Sequence, residues 1–141
     1  MELTDYDIFV IEGLDGSGKS SLIKQLSKLT GYNIHHFDKP KGNNNFDKYY
    51  YQQGQFEMMF DLLNKVKDPS IILDRSHIGE YIYGPEFRDL YPDYLSDLEK
   101  RNKHLNICVI YLQCEYEDYR GYPIPGINAG INIEYRMDLD E

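Results

Sequence analysis

Residues 13–20, Gly-Leu-Asp-Gly-Ser-Gly-Lys-Ser, combine glycines with an ammonium and a hydroxyl at fixed spacing. The pattern is G-x-x-x-x-G-K-[ST], a phosphate-binding loop. Gly13, Gly16 and Gly18 let successive N–H groups turn inward as an anion nest, which a Cβ would obstruct. Lys19 can reach the β- and γ-phosphates of a nucleoside triphosphate, and the Ser20 hydroxyl can ligate Mg²⁺. Gly13, Asp15, Gly16, Ser17, Gly18, Lys19, Ser20 and Ser21 are therefore candidate contacts for ATP. A second constellation is Asp74 followed by Arg75. A carboxylate there can act on Mg²⁺ through water or accept a hydroxyl proton, and an arginine can hold a phosphate bidentately. Lys19, Asp74 and Arg75 are the catalytic candidates, with Ser20 and Asp74 for the metal. Asp-Arg is also a common surface pair, so its weight comes from its position.

That position depends on the elements around it. Residues 7–12 form a β-branched and aromatic run that ends at a glycine, and they read as a buried strand. Leu22, Ile23, Leu26 and Leu29 follow at helical spacing, with Gly31 as the stop. Strand, glycine loop and helix together are the setting a phosphate loop needs. Residues 33–37 predict a second strand, and 46–67 a long helix with Phe56, Met59, Phe60, Leu63 and Val66 on one stripe. Asp68-Pro69 ends that helix. The apolar run at 70–74 predicts a third strand buried on both faces. A helix over 92–103 carries Lys100, Arg101 and Lys103 at its negative end, and 106–112 predicts a fourth strand. The pattern weakens from 115 onward, where 131–137 is a candidate last strand. Alternating strands and helices imply one α/β domain over residues 1–141, a three-layer α/β/α P-loop fold. Its sheet is expected to be parallel, with four to five strands. Ligands in such sheets sit beyond the carboxyl ends of the strands, where Asp74-Arg75 would lie.

Composition narrows the partners. A net charge of −9 argues against duplex nucleic acid, whose backbone needs clustered Lys and Arg. No apolar run is long enough to span a membrane, and the acidic start does not resemble a signal peptide. The expected location is cytoplasmic. Cys108 and Cys114 would share a strand face beyond disulfide reach, which suits buried free thiols. His35, His36 and His77 lack a metal-ligand spacing with Cys or carboxylate partners. The tyrosines at 49–51 with Gln52, Gln53 and Gln55 fit either a nucleobase pocket or a wet helix face.

Residues 11–20 (Ile-Glu-Gly-Leu-Asp-Gly-Ser-Gly-Lys-Ser) together with Asp74-Arg75-Ser76 resemble the thymidylate kinase family and its deoxynucleoside kinase relatives. The resemblance runs over residues 6–112 in the same strand–helix order. It implies that Asp15 lies near the acceptor sugar's 3′-hydroxyl and that Arg75 binds the acceptor phosphate. It further implies an acceptor loop at Phe37-Asp38-Lys39-Pro40, an aromatic contact at Tyr83 and a base-stacking aromatic within 56–60. The family pattern continues into an arginine-rich lid, whereas only Arg120 and Arg136 follow residue 105 here. Ser76, where thymidylate kinases more often carry an aromatic, leans toward nucleoside kinases. The implied activity is transfer of the γ-phosphoryl of ATP to a deoxynucleoside monophosphate, a thymidylate-like one, with Mg²⁺. A kinase of nucleosides or of modified bases in DNA is the alternative, as is a nucleotide-binding module with little turnover. A homodimer is also open.

Overall fold

A computed structural model describes residues 2–13, 18–77, 92–114 and 129–135. Strands β1 (Ile8–Glu12), β2 (Asn33–His36), β3 (Ile71–Asp74), β4 (Ile107–Cys114) and β5 (Ala129–Tyr135) form one sheet in the order β2-β3-β1-β4-β5. The first four strands are parallel, as the alternating pattern predicts, and β5 pairs antiparallel with β4. Parallel neighbours need a long crossover, whereas antiparallel neighbours do not. The candidate strand at 131–137 thus lies two residues earlier and closes one edge in the opposite direction.

Helices α1 (Lys19–Thr30), α2 (Asn45–Lys65) and α3 (Leu95–Asn102) cover the two faces. Each face is set by the period of two along β1. Ile8 and Val10 point toward Phe56, Phe60 and Leu63 of α2 and Leu95 and Leu98 of α3. Phe9 and Ile11 point the other way, toward Ile23 and Leu26 of α1. The sheet is therefore the middle of three layers, with an apolar core on each face.

Local signals set the helix ends. α1 stops at Gly31, whose left-handed φ of 78° lets its N–H return to the Ser27 carbonyl at 2.8 Å. α2 starts where the Asn44 side chain accepts the Asp47 N–H at 2.9 Å. The inward stripe of α2 is Phe56, Met59, Phe60 and Leu63. Val66 falls outside it, because the helix ends at Lys65 and leaves Val66 as an exposed cap. Leu29 is likewise exposed on the last turn of α1. Residues 92–94 form a turn rather than the first turn of α3. Cys108 is buried in β4.

Phe60 is 1% exposed between α2 and the sheet. Phe60→Ala should lower stability by about 3–5 kcal/mol, and Leu29→Ala by no more than about 0.5 kcal/mol. Urea unfolding of both variants checks this; equal losses would refute the placement of α2.

Candidate functional site

The connections fix where a site can lie. From β1 the chain crosses one face of the sheet through α1 toward β2, and from β3 it crosses the other face through α3 toward β4. The two connections leave the adjacent strands β1 and β3 in opposite directions, which opens a crevice at their carboxyl ends. Lys19 and Ser20 reach it from the head of α1, and Asp74, Arg75 and Ser76 from the end of β3. The cavity there measures about 300 Å³.

Gly18 caps α1 with a left-handed φ of 91°, which places Lys19 at once in the first turn. Lys19 is 8% exposed, and its ammonium donates a hydrogen bond to Asp74 Oδ1. The other carboxylate oxygen, Oδ2, lies 3.0 Å from His36 Nδ1. His36 and Asp74 are directly opposite in the β2–β3 register, so both strands deliver their last residue to one point. Burial by itself would raise the Asp74 carboxyl, but Lys19 and His36 more than reverse this and hold it below the ordinary value.

Arg75 has a left-handed φ of 68°, uncommon for a residue with a Cβ. Its N–H donates to the Ile11 carbonyl at 2.9 Å, fixing that kink against β1. Glu12 braces the next residue: its buried Oε1 accepts the Ser76 N–H at 2.6 Å. The loop after β3 is thus pinned to the end of β1 at two consecutive residues.

The far side of the cavity comes from the end of β2 and from α2. Phe37 and Phe56 meet edge to face at 4.9 Å. Gln55 Oε1 accepts the Asp38 N–H at 3.1 Å, and Gln52 Oε1 accepts the Tyr94 hydroxyl. Both carbonyl oxygens are used, and both Nε2 groups are buried at the cavity wall without a partner among the described residues. Such groups await an acceptor. The two readings of this stretch therefore separate by residue. Gln52 and Gln55 line the cavity; Tyr49 turns to Asp93, Tyr51 to Asp38, and Tyr50 stays exposed.

Of the residues singled out from the sequence, Lys19, Ser20, Asp74 and Arg75 come together, with Phe37, Asp38, Lys39 and Phe56 around the same cavity. Gly13 directly follows β1, and Ser21 follows Ser20 in α1. Asp15, Gly16, Ser17, Tyr83, Arg120 and Arg136 lie outside the described residues. The sequence marks His36 only as a histidine without metal partners and Glu12 only as part of the loop motif, and gives neither its contact with the end of β3. The alignment of the β2 and β3 ends is the signal that would have found His36. Ser20 and Asp74 offer the hard oxygens that suit Mg²⁺. Among the described residues no three His, Cys, Asp or Glu side chains could hold a metal together. A cation here would complete its shell with phosphate oxygens and water, as Mg²⁺ commonly does. Among the described residues no helix is long and apolar enough to cross a membrane.

No family model and no curated protein matches the chain. Among solved structures it is similar to the YorR protein of Bacillus subtilis, crystallised in complex with phosphorylated GDP. The TM-score is 0.53, with 22% identity over 77% of this chain. That likeness shows the fold. The chain spans 60% of the length of the YorR chain.

The depressed Asp74 pKa has a definite sign. Its stabilising contribution is complete above the unfolded value of about 3.9 and is lost as pH falls through the lower folded value. The stability gap between the wild type and Asp74→Asn should be open at pH 7 and close between about pH 5 and pH 2. Urea midpoints across that range test it, and a pH-independent gap would refute the pairing.

Proposed function

We propose that the protein is an ATP- and Mg²⁺-dependent nucleotide kinase that phosphorylates a deoxynucleoside monophosphate. One observation carries the reading: Lys19 and the Asp74-Arg75 pair, far apart in sequence, line one crevice at the switch point of the sheet. The similarity to a structure crystallised with phosphorylated GDP supports a nucleotide at this crevice.

In this reading the N–H groups at the start of α1 hold the donor's phosphates, and Lys19 leaves Asp74 to neutralise the β- and γ-oxygens. Ser20, with Asp74 through water, would hold Mg²⁺, which supplies charge neutralisation when bound. Arg75 grips the acceptor phosphate and sets it in line with the γ-phosphorus. The bond from γ-phosphorus to the bridging oxygen breaks, a bond to an acceptor phosphate oxygen forms, and ADP leaves. An acceptor phosphate needs no strong base, so Asp74 takes no proton in this reading, whereas a nucleoside hydroxyl would make it the candidate base.

Gln52 and Gln55 line the same cavity, and in this reading they face the base. Their free N–H groups would meet carbonyl or ring-nitrogen acceptors on the base, which thymine O4 and guanine O6 and N7 both provide. A thymidylate-like acceptor follows from the sequence resemblance, and a guanine nucleotide is the competitor.

The test is ADP release from ATP with Mg²⁺ against deoxynucleosides and their monophosphates. One monophosphate class should raise release, and Lys19→Ala should lower kcat by at least about a hundredfold. Arg75→Ala should act mainly on the acceptor KM. If ATP binds and no acceptor lifts ADP above the Lys19→Ala level, the reading fails and a binding role replaces it.

A further inference from the structure

His35 and His36 are consecutive at the end of β2, an edge strand, and their side chains go to opposite faces of the sheet. His35 packs edge to face on Phe37 at 4.8 Å. His36 stands beside Asp74, its partner in the parallel register. The His36 side chain is 59% exposed and that of Asp74 only 16%. A partner so exposed adds little to stability. What it adds is orientation.

The last torsion of an aspartate lies in a broad, shallow well, so a single hydrogen bond leaves the plane of the carboxylate loose. In the resting crevice Asp74 is held at both oxygens, Oδ1 by the Lys19 ammonium and Oδ2 by His36. Its carboxyl is held below the ordinary value, and the ionised group offers acceptors alone. His36 Nδ1 must therefore carry the hydrogen of that contact, whichever charge the ring bears. Lys19 is the hold that a triphosphate takes away, because the same ammonium serves the β- and γ-phosphates. His36 is the hold that stays, because β2 delivers it independently of α1.

We propose that His36 is a positioning residue for the cation. It fixes the plane of Asp74 through Oδ2 once Lys19 has gone to the phosphates, and so presents the vacated Oδ1 to the water shell of Mg²⁺. The proposal rests on the ATP and Mg²⁺ site of the proposed function and is indifferent to its acceptor. Groups that orient a metal-binding side chain govern about ten- to a hundredfold of the metal affinity.

The test uses Mn²⁺ as the probe, titrated into the complex of the full chain with ATP and followed by paramagnetic resonance. His36→Ala and His36→Gln should weaken Mn²⁺ binding by about tenfold or more, and His36→Asn should stay within about threefold of the wild type. The Asn amide reaches the place of Nδ1, whereas the Gln amide reaches that of Nε2. Asn also lacks the ring's charge, so its rescue assigns the effect to the hydrogen bond. Melting temperatures of all three variants should stay within about 2 °C of the wild type, as expected at an exposed position. Wild-type Mn²⁺ affinity in His36→Ala, or equal losses in the Asn and Gln variants, would overturn the proposal while leaving the kinase reading intact. Conversely, the expected pattern without acceptor-driven ADP release would uphold it and remove the kinase reading. A wild type that binds no Mn²⁺ with ATP would overturn both.

Discussion

β1 is hydrogen-bonded on both sides, to β3 and to β4, and lies under helices on both faces. A strand so enclosed has to be apolar along its length and must give its first polar side chain a partner inside the protein. Glu12 is that side chain, and its partner is the backbone of Ser76. One carboxylate therefore ties the loop after β3 to the strand that leads into the glycine loop. The Arg75 N–H on the Ile11 carbonyl adds a second tie. These contacts hold Asp74 and Arg75 where the head of α1 can reach them. The crevice is a consequence of how the central strand ends.

Much of this organisation is legible in the residues. The period of two along β1 assigns its side chains to two cores, and the glycine loop with Lys19 marks the strand-to-helix turn. Gly31 and Asn44 mark helix ends by chemistry that is local in the chain. Local patterns do not carry direction or partnership. A run such as 129–135 says strand and is silent on whether its neighbour runs with it or against it, so the antiparallel edge needs the three-dimensional register.

The site shows the same division. Lys19 and Ser20 belong to one contiguous motif and can be read at once. His36 and Asp74 are separated by the whole of α2 and meet because β2 and β3 end in the same register. A histidine read alone invites a search for metal partners, whereas here its neighbour is a carboxylate already paired with a lysine. Gln52 and Gln55 differ from the neighbouring tyrosines by helical phase alone: they share the inward face with Phe56, whereas Tyr50 points to solvent. Val66 illustrates the limit of phase, which loses meaning one residue beyond the helix.

The pairing of Lys19 with Asp74 sets one charge against the other in the crevice before anything enters it. A polyanion that takes the ammonium must do so by exchange, displacing one negative partner with another. The released carboxylate keeps His36 and sits in partly dehydrated surroundings, where an uncompensated charge is costly. In the proposed reading, a cation arriving with the polyanion would remove that cost, so the two ligands would favour each other's binding. On that proposal, cooperativity between anion and cation would follow from the resting ion pair. By reciprocity it acts with equal strength in both directions.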